Sequence, residues 1–288
     1  MRLFSAFAVV VVAVACGPVA SSDFSSSSGS GPRARVAGVS YLHHGEALTQ
    51  GGTIPYNGGA VLLHPSAVNL YWGTYWQTAA GQAEQAVLDG LAQGMAGTPW
   101  LGILSQYGDA NGNAPDVIDG VFGGSQILAT DPPSLVQDGD IQAFVEQQLQ
   151  TGVVPYGAET VYFVYTGPGV TVQMSDGSQS CNQWCGYHNH YSGNSGDTKY
   201  SPIPHGDCPQ GCGAPGLTVN SAGLDQSTTT MSHEFAEAVT DPDLSAYTGG
   251  NLGEVGDPCT AAFSASWGNA SYAVQTVWSN ATQSCVQQ

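Results

Sequence analysis

The stretch that decides the fold class is "MSHEFAEAVTDPD" (residues 231–243), which begins like the H-E-x-x-H helix of zinc hydrolases but has no second histidine. At about 100° per residue, His233, Glu237 and Asp241 form a row at positions i, i+4 and i+8. This spacing stacks three side chains along one face, as the ligands on a metal-binding helix require. Glu234 lies at the edge of the row, where a zinc hydrolase carries its general base. The stretch therefore predicts an active-site-type helix with a carboxylate in place of an imidazole.

An ordinary amphipathic helix is the alternative for the same stretch. The side opposite the row is apolar and consists of Met231, Phe235, Ala238 and Val239. A polar row opposite an apolar stripe is typical of a helix on a protein surface, where the acidic residues contact solvent. The serine and threonines at 227–230 are expected to cap the start of the helix, and Pro242 predicts its end at Asp241.

Two other stretches carry candidate ligands. "GEVGDPC" (residues 253–259) places Glu254 and Asp257 on a glycine-rich turn that can return to the helix. In "CGYHNHY", His188 and His190 lie on one face if the segment is extended, so that one of them could complete a site. The alternative is that both are surface histidines beside a disulfide. The remaining histidines are interpreted as structural or surface residues: His43, His44, His64 and His205.

The cysteine pattern is that of an exported protein. Apart from Cys16, the cysteines all follow residue 180 and stand at Cys181, Cys185, Cys208, Cys212, Cys259 and Cys285. Six cysteines predict three disulfides, out of fifteen possible connectivities. Cys259 and Cys285 are expected to pair, because neither belongs to a C-x3-C pair. Metal binding by the C-x3-C thiolates is the alternative, although the spacing and an oxidising compartment disfavour it.

The N-terminus predicts export. Residues 1–20 combine Arg2, an apolar run and small residues in the pattern of a signal peptide, which is too short for a membrane span. "AVAC" also resembles a bacterial lipobox, in which Cys16 would carry a lipid anchor. Residues 21–36 are a Ser/Gly-rich linker, and residues 37–288 are expected to form one domain. The predicted location is therefore extracellular, either secreted or anchored at the cell surface, with no transmembrane span.

The charge balance excludes one class of partner. The chain has 22 acidic and 4 basic residues, with a formal net charge of −18. Nucleic acids and anionic membranes bind clustered lysines and arginines, so we exclude a nucleic-acid partner.

The order of predicted elements indicates an α/β or α+β domain with a mixed sheet. "GGAVLLHPSAVNLYWGTYW" (58–76) predicts two strands, and "ETVYFVYTG" (159–167) predicts a central strand. Helices are expected in residues 81–95 and 138–150, where apolar residues recur at helical spacing. "SYAVQTVWS" predicts a strand near the C-terminus. The region 171–226, rich in Gly, Ser, Asn and Pro, is expected to be a long loop stapled by disulfides.

The chain resembles the phosphate-induced, EXORDIUM-like proteins of plants and their bacterial and fungal relatives. The resemblance covers most of residues 54–260 and rests on the order of eight pieces: "YNGGAVLLHPSAVNLYWGTYW", "TPWLGILSQYGD", "DGDIQAFVEQQL", "VYFVYTG", "CNQWCGYHNHY", "CPQGCGAPG", "SHEFAEAVTDP" and "GEVGDPC". It implies a secreted or cell-wall location and, in plants, a role in growth and carbon-status signalling.

The family's H-E-x-x-E helix is similar to the active-site helix of zincins, and this implies a zincin-like domain. Carried over, the resemblance implies His233, Glu237 and Glu254 as metal ligands and Glu234 as the catalytic base. Asp257 or Asp241 would be a further ligand or would support one. One histidine with several carboxylates suits Ca²⁺ or Mn²⁺ better than Zn²⁺, so the cofactor is expected to be a divalent metal of one of these kinds.

Three functions agree with this sequence. The first is an extracellular metallohydrolase that acts on peptides. The second is a non-catalytic signalling or cell-wall-associated protein in which the same helix holds a structural ion or none. The third is a carbohydrate-binding module, suggested by 6 tryptophans and 13 tyrosines, although aromatic residues are equally common in buried cores.

Overall fold

A computed structural model describes residues 39–41, 51–118, 121–208, 212–213 and 216–288, with the side chains of 39–41 left out. The expected signal peptide, the lipobox cysteine Cys16, the Ser/Gly-rich linker, His43 and His44 lie outside the described residues. In the described part of the chain, no helix is both long enough and apolar enough to cross a membrane.

The described elements belong to one unit, Arg35–Gln288. The helices are α1 (Ala79–Gly94), α2 (Pro99–Gly102), α3 (Asp138–Gln150) and α4 (Ala222–Thr240). The strands are β1 (Val39–Tyr41), β2 (Ser66–Trp72), β3 (Phe122–Leu128), β4 (Leu135–Gln137), β5 (Thr160–Thr166), β6 (Thr171–Gln173), β7 (Trp184–Tyr187), β8 (Asn189–Ser192), β9 (Asp197–Ile203), β10 (Ala262–Trp267), β11 (Ala270–Gln275), β12 (Val277–Ser279) and β13 (Ser284–Val286).

The main sheet has five strands in the order β3-β2-β5-β9-β8. The pairs β3–β2, β2–β5 and β5–β9 are parallel, and β8 is antiparallel to β9. Two-stranded pairings join β1 to β7, β4 to β6, β10 to β11 and β12 to β13. The expectation of a mixed α/β fold is therefore confirmed.

The sheet is buried on both faces. In β5, Val161, Phe163 and Tyr165 belong to a core shared with α1 and α4, whereas Tyr162 and Val164 belong to a core shared with α3. This alternation follows from the two-residue period of a strand. A near-continuous apolar run such as β5 is typical of a parallel strand covered on both sides.

Two predicted segments differ from the structure. Residues 58–76 form one strand, β2, and not two, because the chain before His64 and Pro65 stays in loop conformation. The region 171–226 is not a long loop, since it contains β6, β7, β8 and β9. In β9, Thr198, Lys199 and Ser201 are buried, so a polar sequence forms a strand because its neighbours cover it.

Helix α4 starts earlier than the sequence predicts. Its N-cap is Ser221, whose side chain accepts a hydrogen bond from the backbone N–H of Leu224. The hydroxyl residues at 227–230 lie inside the helix instead of capping it. The end is as predicted, since Asp241 is the C-cap before Pro242.

Three disulfides are present in the described residues, and they link Cys181 to Cys208, Cys185 to Cys212 and Cys259 to Cys285. The expected Cys259–Cys285 pair is confirmed. The two C-x3-C pairs are bonded to each other, first cysteine to first and second cysteine to second. None of these four cysteines is therefore a thiolate that could bind a metal, and the thiolate metal site is excluded.

Candidate metal centre

Helix α4 is buried around its whole circumference near the H-E-x-x-E motif. One side packs on the main sheet, where Phe235 lies 6.1 Å from Phe163 between ring centroids. The other side faces β11, where the backbone N–H of Gln275 donates to the hydroxyl of Ser232. The side chains of the polar row and of Glu234 are consequently 0% exposed. The alternative of a solvated acidic face is therefore wrong.

His188 reaches the helix from the loop between β7 and β8. The preceding strand passes close to α4, since a Cβ atom on Gly186 would lie 2.6 Å from Cγ2 of Thr230. His188 is 2% exposed, and its Nδ1 lies 3.3 Å from Oε2 of Glu234. Its Nε2 lies 3.2 Å from the backbone oxygen of Asp241. The alternative of a surface histidine does not hold for His188, whereas His190 is half-exposed and points elsewhere.

Glu254 and Asp257 reach the helix on the predicted turn at residues 253–259. Gly253 has a φ of 73°, which favours glycine, and a Cβ atom there would collide with the Asp257 carboxylate. The backbone N–H of Glu254 donates to Oδ2 of Asp257 at 3.0 Å and closes the turn. The backbone N–H of Gly256 donates to Oε1 of Glu237 at 3.2 Å, which fixes the turn against the helix.

Gln275 is a buried positioning residue that no motif in the sequence indicates. Its Nε2 donates to the backbone oxygens of Gly256 at 2.9 Å and of Cys259 at 2.6 Å. These bonds hold the turn from the side of β11. No local signal marks this glutamine, because its partners lie 16 and 19 residues away in the chain.

The two histidines and five carboxylic acids of this region form what we call the buried cluster: His188, His233, Glu234, Glu237, Asp241, Glu254 and Asp257. Within it, two groups have one potential ligand atom per residue, all within 4.8 Å of one another. The first group is His188, Glu237 and Glu254, and the second is His233, Glu237 and Asp257. The structure therefore brings together His188, His233, Glu237, Glu254 and Asp257 but divides them between two groups, and the alternative ligand Asp241 belongs to neither.

The histidines interact strongly with the surrounding acids. Burial lowers the pKa of His233, but the adjacent carboxylates, chiefly Glu237, outweigh it and raise the pKa to about 10. Burial also lowers the pKa of His188, while its hydrogen bond to Glu234 and the charge of Glu237 raise the pKa above its ordinary value. For Glu237, burial raises the pKa, but the opposing effect of His233 at 2.9 Å lowers it overall. Without a metal, His233 and Glu237 thus form an ion pair at neutral pH.

Asp241 has mainly a structural role in the buried cluster. Its Oδ1 accepts hydrogen bonds from the backbone N–H groups of Ser245 and Ala246, which shapes the chain after α4. Burial raises the pKa of its carboxyl. Asp241 belongs to neither group of potential ligands, so it is better suited to supporting His188 than to binding an ion.

A third group, His190, Asp197 and Asp243, has a different character. These residues are partly exposed, and the ammonium of Lys199 lies 2.7 Å from Oδ2 of Asp197 and 3.6 Å from Oδ1 of Asp243. A lysine already supplies the positive charge there, so this group needs no metal to offset its carboxylates.

Disulfides lie next to both segments that bring ligands to α4. Cys185 precedes His188 by three residues, and Cys259 follows Asp257 by two. Cross-links restrict the unfolded chain and hold the backbone on either side of the cluster. The bridges thus fix the two non-helical sides of the site.

A separate surface pocket of about 460 Å³ lies beyond the carboxyl ends of β2 and β5. Trp72, Tyr75 and Asp131 line it, together with the loop at 167–170. Open parallel sheets commonly bind ligands at such a position, where connections leave adjacent strands in opposite directions. The pocket shares no residue with the buried cluster.

Comparison with known proteins gave no match: no family model, no curated protein and no solved structure shows significant similarity to this chain.

Proposed function

We propose that this is an extracellular metal-binding protein whose buried cluster holds divalent cations through His188, His233, Glu237, Glu254 and Asp257. The observation that carries the proposal is the pair of fully buried His/Glu/Asp groups, each with its donor atoms within 4.8 Å. Imidazole nitrogens and carboxylate oxygens are ligands of Zn²⁺ and Mn²⁺, and carboxylates are the preferred ligands of Ca²⁺.

The formal charge of the buried cluster supports this proposal. Five carboxylic acids lie there with two histidines, so with every carboxyl ionised a formal excess of three negative charges remains even with a proton on each imidazole. The basic side chain in the described part of the chain is Lys199, which pairs with Asp197 and Asp243. Burying charge costs several kcal/mol per ion, and a divalent cation offsets that cost directly.

The orientation of His188 also fits a ligand. When its Nε2 carries the proton, it donates to the backbone oxygen of Asp241, and the lone pair of Nδ1 faces the carboxylates of α4. Metal-binding histidines usually donate their other N–H to a carbonyl or carboxylate in this way, which fixes the tautomer.

A structural ion is the form of this function that the geometry favours. The cluster residues are at most 6% exposed, so a substrate cannot reach them in this conformation. A cation held there would tie together α4, the β7–β8 loop and the 253–259 turn. Three disulfides agree with an extracellular location. Membership of the EXORDIUM-like family and a zincin-like domain remain part of the proposal.

Peptide hydrolysis is the second candidate, and the position of Glu234 favours it. Its carboxylate lies next to His188 at 3.3 Å but belongs to neither group of potential ligands. A bound divalent cation supplies Lewis-acid activation of water. Glu234 would accept the proton of the attacking water, and the chain around His188 would have to open to admit a peptide.

The proposal is tested by thermal unfolding of the full chain, after chelation and after return of Zn²⁺, Mn²⁺ or Ca²⁺. We expect one of these ions to raise the Tm of the wild type and to raise the Tm of His233→Asn by less. His64→Asn serves as the matched control, because His64 is exposed and lies outside the cluster. Equal Tm values with and without each metal in the wild type would refute metal binding.

A further inference from the structure

Glu237 lies between the two histidines of the buried cluster. Its Oε1 is 2.9 Å from Nε2 of His233, one helical turn earlier on α4. Its Oε2 is 3.7 Å from Nδ1 of His188, which comes from the β7–β8 loop. The two oxygens of a single carboxylate are thus directed at two imidazoles on different segments.

Each imidazole has a second carboxylate of its own. Oε1 of Glu254 lies 3.4 Å from the imidazole ring of His188, and these two residues form one potential ligand group with Glu237. His233 and Asp257 form the other group, again with Glu237. Glu237 is the one residue common to both groups.

The environment of Oε2 of Glu237 independently supports a cation at this position. Glu237 is 0% exposed, and its Oε2 accepts no hydrogen bond from the described residues. The distance of 3.7 Å to His188 exceeds that of a hydrogen bond. A buried carboxylate oxygen of this kind is expected to have a positive partner, and a cation in the His188 group would provide one.

The number of acids also exceeds what one ion offsets. The cluster contains five carboxylic acids, so with every carboxyl ionised and both imidazoles neutral a single divalent cation leaves a formal excess of three negative charges and two cations leave one. Two ions also use both groups of potential ligands, whereas one ion in either group uses three of the five donor residues.

We propose that the buried cluster is a dinuclear centre, in which the carboxylate of Glu237 bridges two divalent cations. One cation is held by His188 and Glu254, and the other is held by His233 and Asp257. Carboxylate-bridged pairs in proteins have metals roughly 3.5–4 Å apart, a distance that a single carboxylate spans. This inference rests on the proposed function, namely metal binding at this site.

The stoichiometry of the wild type is the primary test. The oxidised full chain is stripped with a chelator, loaded with Zn²⁺ or Mn²⁺, and measured by native mass spectrometry and elemental analysis. We expect two ions per chain. One ion per chain would overturn the dinuclear centre and leave the metal-binding proposal intact, whereas no ion would overturn both.

Variants then assign each ion to its group. His188→Asn and His233→Asn are each expected to retain one ion, and Glu237→Gln is expected to lower the affinity for both by at least tenfold. His64→Asn is the matched control and should bind two ions. Loss of both ions in each single histidine variant, with folding confirmed by circular dichroism, would contradict two separate groups.

A spectroscopic measurement needs no variant. Two Mn²⁺ ions bridged by one carboxylate are expected to give an exchange-coupled electron paramagnetic resonance spectrum in the loaded wild type. The six-line spectrum of isolated Mn²⁺ at full loading would contradict the bridge.

Discussion

A Cβ atom on Gly256 would lie 2.6 Å from Nδ1 of His233, so the backbone of the 253–259 turn packs directly against the imidazole ring. The same glycine donates its N–H to Glu237 and accepts a hydrogen bond from Gln275 through its carbonyl oxygen. One residue without a side chain thus positions a candidate ligand, contacts the bridging carboxylate and is itself held by β11.

We expect Gly256→Ala to destabilise the protein by roughly 1–3 kcal/mol, because the added methyl group must displace His233 or the turn. Metal affinity should fall together with stability. The matched control is Gly139→Ala in α3, where a Cβ atom would meet nothing within 4 Å. Chemical denaturation and a metal titration check both effects, and a Gly256 variant that resembles the control would refute the close packing.

Only the local features of helix α4 could be predicted from the sequence. The row of His233, Glu237 and Asp241 and the end of α4 before Pro242 follow from helical spacing and backbone sterics. Its start could not be predicted, because hydroxyl residues favour N-caps over helix interiors, and tertiary packing overrides that preference at residues 227–230. Thr228, for example, donates to the backbone oxygen of Asp225 inside the helix.

The burial of the polar row depends on contacts distant in the chain. The residues that cover α4 come from the main sheet and from β11, and Gln275 reaches the 253–259 turn from a strand with no distinguishing local pattern. The sequence leaves two alternatives for His188, a metal ligand or a surface histidine. Its contact with Glu234 joins residues that are 46 positions apart in the chain, so local patterns cannot decide between them. Tertiary packing decides both features.

Disulfide removal is expected to affect metal binding according to position. Cys185→Ser with Cys212→Ser should lower the unfolding free energy by about 2.7 kcal/mol in the chain-entropy model, because the remaining Cys181–Cys208 bridge leaves a loop of only about 10 residues to close. It should also weaken metal binding, since Cys185 lies three residues before His188. The matched control is Cys181→Ser with Cys208→Ser, which opens a loop of the same separation, 27 residues, farther from His188.

Both double variants are compared by denaturation and by metal titration. Equal loss of stability with a larger loss of metal affinity in the Cys185 variant supports the account. Equal metal affinity in the two variants would show that the bridges do not position the site.

The stabilisation by metal should increase as the pH rises. The folded, metal-free protein has a His233 pKa of about 10, compared with an ordinary value of 6.5. A raised pKa contributes stability that is complete below about 6.5 and is lost as the pH rises towards 10. Metal binding requires the neutral imidazole, so the ion displaces a proton and binds up to about tenfold more tightly per pH unit in this range.

The measurement is the metal-induced shift in Tm at several pH values between about 6 and 8.5. We expect the metal-free Tm to decrease and the metal-induced shift to increase across this range. A metal-induced Tm shift that does not change with pH would mean that His233 releases no proton on metal binding and is not a ligand.

Glu234→Gln tests the catalytic alternative. The substitution keeps the shape of a side chain that belongs to neither ligand group, so bound metal and fold should be unchanged. If the protein hydrolyses peptides, loss of the proton acceptor should lower kcat by about 10²–10⁴-fold. A peptide substrate screen with Zn²⁺, Mn²⁺ and Ca²⁺ compares wild type, Glu234→Gln and the control Glu146→Gln in α3. Activity that is absent or equal in all three would leave the structural ion as the function.

The central claim is that the buried cluster holds divalent cations, and anomalous X-ray diffraction tests it most directly. Crystals of the protein loaded with Zn²⁺ or Mn²⁺ are measured on both sides of the absorption edge of the metal. We expect anomalous density on both sides of the Glu237 carboxylate, towards His188 and towards His233. Refined density with no anomalous signal in the cluster, and with direct hydrogen bonds among the carboxylic acids and imidazoles, would contradict it.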